Sequence, residues 1–120
     1  MPYRLSTREV AEKLGISPST VKRWDVDPNF NFPQSHVIAG QRRWFTHLIM
    51  LWAGLDGPDD HILYKSEVAL ELGFSTRTID RWDASRKQGF PSSRRIGDRK
   101  CWTHIEISFW AERRDDSDDE

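Results

Sequence analysis

Residues 5–25 read LSTREVAEKLGISPSTVKRWD. Ser6 and Glu9 stand three apart, the spacing at which a serine caps the first turn of a helix and a glutamate reaches back to the cap. Val10, Ala11 and Leu14 follow as an apolar stripe at helical spacing. Gly15 sits where a helix ends on a residue of positive φ. Two residues on, Ser17 is a second N-cap, and Pro18 takes the first helical position, where its missing N–H costs nothing. Helix, short turn opening on glycine, helix: the pattern predicts a helix-turn-helix, with Ala11 as the small residue at the crossing.

The stretch recurs. Residues 63–83 read LYKSEVALELGFSTRTIDRWD, and the register holds at an offset of 58 through residue 111, with 19 of 49 aligned positions identical. The six tryptophans form three matched pairs, Trp24/Trp82, Trp44/Trp102 and Trp52/Trp110. Two copies of one small domain are expected: domain 1 over 1–54, a linker over 55–62, domain 2 over 63–114 and an acidic, disordered tail over 115–120. A unit near 55 residues buries only about 60% of its unfolded surface. Three tryptophans per copy supply the missing bulk. In copy two Tyr64 replaces the capping serine, while Ser75 keeps the second cap.

Within the second helix, Val21 and Trp24 (Ile79 and Trp82) are three apart and share one side, read as the core. Ser19, Lys22 and Arg23 lie opposite, as do Arg77, Asp80 and Arg81, a polar and basic face suited to the major groove. The two outward sets differ, so two different half-sites are expected. Phe32-Pro33 and Phe90-Pro91 then end helix and force extended chain. His36-Val37-Ile38 and Arg42-Arg43-Trp44 flank Ala39-Gly40, and Arg94-Arg95-Ile96 and Lys100-Cys101-Trp102 flank Gly97-Asp98. Each set predicts a hairpin. A basic hairpin beside such a helix is a wing, suited to phosphates or the minor groove. Closing helices end at Trp52 and Trp110. Leu48 and Met50 are apolar where copy two has Glu106 and Ser108, which suggests a contact with the other copy or another subunit. The fold class expected is mainly α with small β-hairpin wings.

The formal charge of −1 conceals a partition. Residues 1–54 carry 7 basic and 4 acidic side chains, and residues 63–114 carry 11 and 7. Each copy is therefore basic. The balance sits in Asp56, Asp59 and Asp60 of the linker and in five acids of the tail. Such a tail reads as solvated. In a sharper reading it competes with phosphates for the basic faces or docks on a partner. The nine residues Gly54 to Ile62 span at most ~30 Å, near the ~34 Å between successive major grooves on one face. Pro58 and the acids predict an extended connection, and tethering sets a high effective concentration for the second domain.

The residues together resemble a family. [ST]-x-x-E-V-A-x-x-L-G-[IF]-S-x-x-T-[VI]-x-R-W, then F-P, a basic hairpin and W-x(4)-I-x-x-W, is similar to the AlpA-like winged helix-turn-helix proteins. These include small phage and prophage excisionases and regulators, related to the MerR-type DNA-binding domain. The likeness spans about 100 of the 120 residues. It implies that Ser17, Ser19, Thr20, Lys22 and Arg23, with Ser75, Arg77, Thr78 and Arg81, face the major groove. It implies that Arg42, Arg43, Arg94, Arg95, Arg99 and Lys100 belong to wings. Two features depart from the family. Its members are commonly single domains, and Asp80 stands where a neutral or basic residue is usual, so it either accepts from a cytosine amino group or holds copy two off the DNA.

The partner implied is double-stranded DNA, with an integrase, a recombinase or a second copy of the chain as protein partner. No cofactor, metal, membrane or small-molecule substrate is expected, and the location implied is the nucleoid in a bacterial host cytoplasm. Single Cys101 forms no internal disulfide, the start MPYRLSTRE does not read as a signal peptide, and His36, His47, His61 and His104 lack zinc-ligand spacing. No catalytic constellation stands out, so an enzyme is not expected. Three functions fit: an excisionase-like directionality factor that bends DNA, a regulator of mobile-element genes, and a protein-interaction adaptor that kept the fold.

Overall fold

The computed structural model describes residues 3–113. It divides into two units between Ile62 and Leu63. In unit 1 the elements run β1 (Arg4–Leu5), α1 (Thr7–Leu14), α2 (Pro18–Val26), a 3-10 turn (Pro28–Phe30), β2 (His36–Ile38), β3 (Gln41–Phe45) and α3 (Thr46–Ala53). Then come β4 (Ile62–Tyr64), α4 (Lys65–Leu72), α5 (Thr76–Ser85), a 3-10 turn (Lys87–Gly89), β5 (Arg94–Ile96), β6 (Arg99–Thr103) and α6 (His104–Arg113). The acidic tail expected over 115–120 lies outside the described residues.

Six helices and two three-stranded antiparallel sheets make the fold mixed α/β, which corrects the expectation of a mainly α chain. The difference is one strand per sheet. Both predicted hairpins form, but β1 adds to the far edge of β3, pairing Arg4 with Phe45 and Leu5 with Trp44. β4 joins β6 in the same way, giving the orders β1-β3-β2 and β4-β6-β5. Leu5 and Leu63 gain burial there, at 2% and 6% exposure.

Local chemistry accounts for the helices. Ser6 Oγ accepts from Glu9 N–H while Glu9 Oε1 accepts from Ser6 N–H at 2.8 Å, closing the predicted capping box. In α4 Tyr64 cannot cap, yet Glu67 still takes the Tyr64 N–H at 2.8 Å. Gly15 and Gly73 end α1 and α4 at φ +67° and +79°, as the glycine positions predict. Ala11 and Ala69 are buried where the helix pairs cross.

The cores are aromatic. Trp24 and Trp82 hold matching places, but each copy recruits a different ring to them. Phe30 stacks on Trp24 at 4.7 Å, whereas Phe74 meets Trp82 edge-on at 4.8 Å. Trp52 and Trp110 complete the clusters against Phe32 and Phe90. Trp102 donates its indole N–H to Pro91 O at 2.9 Å. Among the described residues the buried Trp44 N–H has no such partner, an omission that costs about 1–3 kcal/mol.

Residues 55–61 are not the extended linker expected. Asp60 N–H closes a turn on Gly57 O at 3.1 Å. The Asp60 carboxylate, 1% exposed, accepts from Asp56 N–H and His61 N–H. Lys13 Nζ donates to Pro58 O at 2.7 Å, which ties the segment to α1. Asp60, one of the acids read as signs of an extended connection, is the residue that folds it.

The β2–β3 turn contains a strained residue. Ala39 has φ +52° and Gly40 +77°, the sign pattern of a two-residue I′ turn. Alanine in that region costs about 1–2 kcal/mol, and the wider freedom of an unfolded glycine returns about 0.4–1 kcal/mol of the difference. Ala39→Gly is therefore expected to stabilise unit 1 by ~0.5–1 kcal/mol on balance. A raised urea midpoint at unchanged slope is the predicted observation.

Candidate nucleic-acid interface

The face opposite Val21 and Trp24 on α2 is built from its N-terminus. Ser17 caps the helix, accepting from Thr20 N–H at 3.1 Å, and its hydroxyl lies 3.1 Å from Ser19 Oγ and 2.9 Å from Thr20 Oγ1. Ser75 repeats this with Thr78 N–H at 3.1 Å and Thr78 Oγ1 at 3.0 Å. Ser17, Thr20, Ser75 and Thr78, predicted as groove contacts, thus serve first as cap and cap partner. Ser19, Lys22 and Arg23 stand exposed on unit 1, and Arg77 and Arg81 on unit 2.

Asp80 occupies the place of Lys22 and is not free. Lys65 Nζ approaches one of its oxygens at 3.0 Å and Lys100 Nζ the other at 3.2 Å. Both oxygens are engaged inside unit 2, which argues against the cytosine contact.

A strap that the sequence analysis missed joins each hairpin to the preceding helix. In unit 1, Ser35 Oγ donates to Asp25 Oδ2 at 2.9 Å, and Arg42 Nη1 reaches Ser35 Oγ at 2.7 Å and Asp25 Oδ2 at 3.3 Å. In unit 2, Ser93 donates to Asp83 through its backbone N–H and its hydroxyl, and Lys100 Nζ lies 3.1 Å from Asp83 Oδ2. Arg42 and Lys100, predicted as phosphate ligands, are held by internal carboxylates. Their signal was present in the repeat. Asp25/Asp83 and Ser35/Ser93 are identical pairs at polar positions, and 42/100 keeps its charge while changing residue type.

The other hairpin cations divide. Arg94 pairs with Glu106 at 3.2 Å. Arg43 donates to Arg42 O and Gln41 Oε1, and Arg95 to Asp98 O at 2.9 Å. Arg99 lies 3.8 Å above the Tyr64 ring. Arg95 and Arg99 enter no ion pair among the described residues. With Tyr64, Lys65, Asp98 and Lys100 they line a cleft of about 350 Å³ in which four cations outnumber one carboxylate, a charge balance suited to a phosphate.

Hydrogen bonds from Lys65, then Lys100, outweigh desolvation and hold the Asp80 carboxyl below the usual range. Burial pushes Asp83 up, but Lys100 and Ser93 prevail and its pKa too is lowered. Lys100 is raised in return, by Asp83 and then Asp80. A carboxylate with a depressed folded pKa adds stability that is present above the unfolded value, near 4, and lost as pH falls through the folded value. Unit 2 is therefore expected to destabilise progressively below about pH 4. Asp83→Asn should flatten that part of the profile, as followed by urea midpoints against pH. Burial pushes the Cys101 thiol up to about 11, so it stays protonated and unreactive at neutral pH.

The closing helices differ from expectation. Leu48 and Met50 are half-buried, whereas Leu51 and Phe109, at matching positions, are 78% and 58% exposed. No described helix is long and apolar enough to cross a membrane. The chain matches no protein-family model, and neither a curated protein nor a solved structure is detectably similar to it.

Proposed function

We propose that each unit is a winged helix-turn-helix module and that the protein binds double-stranded DNA at two adjacent half-sites. α2 and α5 enter successive major grooves, while β2–β3 and β5–β6 act as wings on the flanking backbone or minor groove. The observation that carries the reading is the pair of straps. In both units a hydrogen-bonded aspartate, serine and cation fix a cation-bearing hairpin against the helix whose outer face is polar and basic. Rigid placement of two such elements gives register on a duplex, with phosphates positioning and base edges specifying.

The resemblance to AlpA-like proteins extends the proposal to the biological role. The protein acts as an excisionase-type directionality factor of a phage or mobile element, bending DNA beside an attachment site for an integrase. A labelled duplex of random sequence, titrated between 50 and 200 mM salt, tests the DNA reading. Log affinity should fall linearly with log salt, at about −0.9 for every phosphate neutralised. Absence of binding at 50 mM would leave the reading without support.

A further inference from the structure

The two hairpins share a fold and differ at the tip. In unit 2 Ile96 is 6% exposed and Cys101 fully buried. Tyr64, 2% exposed, supports Arg99, whose guanidinium lies 3.8 Å from the ring centre. Unit 1 has Ser6 where unit 2 has Tyr64, and Arg43 where unit 2 has Cys101. In unit 1 Ile38 is 42% exposed, and Val37, which replaces Arg95, is 59% exposed.

Val37 sits opposite Arg42 and Ile38 opposite Gln41 across the ribbon. Successive strand residues point to opposite faces and opposed partners share one, so each face of the tip carries one exposed aliphatic side chain, Val37 beside Arg42 and Ile38 beside Gln41. The turn between the strands, Ala39-Gly40, carries nothing larger than a methyl group. The tip is therefore narrow, and its alanine accepts a positive φ of 52° that holds it so.

We propose that the Val37–Ile38 tip is an apolar wedge that enters the minor groove and opens a base step, kinking the duplex. The hairpin of unit 2, with Arg95 and Arg99, grips backbone instead. The proposal rests on the DNA reading above. Three features favour DNA as the occupant over a protein. The same hairpin carries Arg42 and Arg43, and the helix to which it is strapped carries the exposed Lys22 and Arg23, cations available to flanking phosphates. Two side chains offer far less than the ~800 Å² per partner that a stable protein interface buries. A minor groove about 6 Å wide admits a ribbon edge with a small turn, and aliphatic wedges are the side chains that unstack base steps there.

The test uses the full chain and a duplex selected from a random pool, labelled at its two ends with a fluorescence donor and acceptor. The wild-type protein should raise transfer efficiency as the ends approach. Val37→Ser/Ile38→Ser should still bind, with an unchanged salt slope, and lose most of that rise. Both residues are exposed, so circular dichroism melting should match wild type. Arg95→Ser should keep the rise and lower the slope by about one. An undiminished rise in the double variant overturns the wedge, as does wild-type binding without any rise. Failure of the wild type to bind any duplex overturns the DNA reading itself.

Discussion

Trp82→Ala unfolds the second unit. The side chain is fully buried, and it meets Phe74 at 4.8 Å, Trp110 at 5.4 Å and Phe90 at 5.9 Å. Truncating a buried tryptophan costs about 3–5 kcal/mol. A unit of about 50 residues has roughly 3–8 kcal/mol of stability in all, at 0.05–0.15 kcal/mol per residue. The loss is comparable to the whole. Two-dimensional amide spectra should show the resonances of residues 63–113 collapse to the centre while those of unit 1 keep their dispersion. Retention of a cooperative melt within about 1 kcal/mol of wild type would mean that the aromatic cluster is not what holds unit 2 together.

On the proposed DNA-binding function, Lys22→Ala is expected to weaken binding by about 1–3 kcal/mol, or roughly 5- to 150-fold, and to relax preference at particular base pairs. Lys22 is exposed at the centre of the outward face of α2. Its counterpart Asp80 gives a prediction of opposite sign. Removing its charge by Asp80→Asn breaks the ion pair with Lys65 at 3.0 Å and leaves Lys100 paired with Asp83 alone, so affinity should rise. Binding isotherms on one selected duplex test both. Equal affinity in both variants and wild type would place the interface away from α2 and α5.

The helices were legible because their signals are local. Ser6, Glu9, Gly15 and Ser17 act within one turn of where they stand, and the constant offset of 58 doubled each observation. The short third strands were not legible. Arg4–Leu5 is too brief to show alternation, and its pairing is decided by the β3 edge, about forty residues away. Asp60 was misread for a related reason. Its composition suggests solvent, but its role depends on backbone N–H groups that only the folded turn presents. On the candidate interface, residue types placed the cations, while geometry showed which of them hold internal carboxylates. The exposure of Val37 and Ile38, against the buried Ile96 of the second hairpin, is a contrast visible only in the structure.

Selection of binders from a random duplex pool at ~100 mM salt, where phosphate contacts alone bind weakly, tests the central claim most directly. The account predicts recovery of one composite site with two dissimilar halves, as the different outward faces Ser19/Lys22/Arg23 and Arg77/Asp80/Arg81 require. Recovery of no enriched sequence, with no retention of duplex at lower salt, would contradict it.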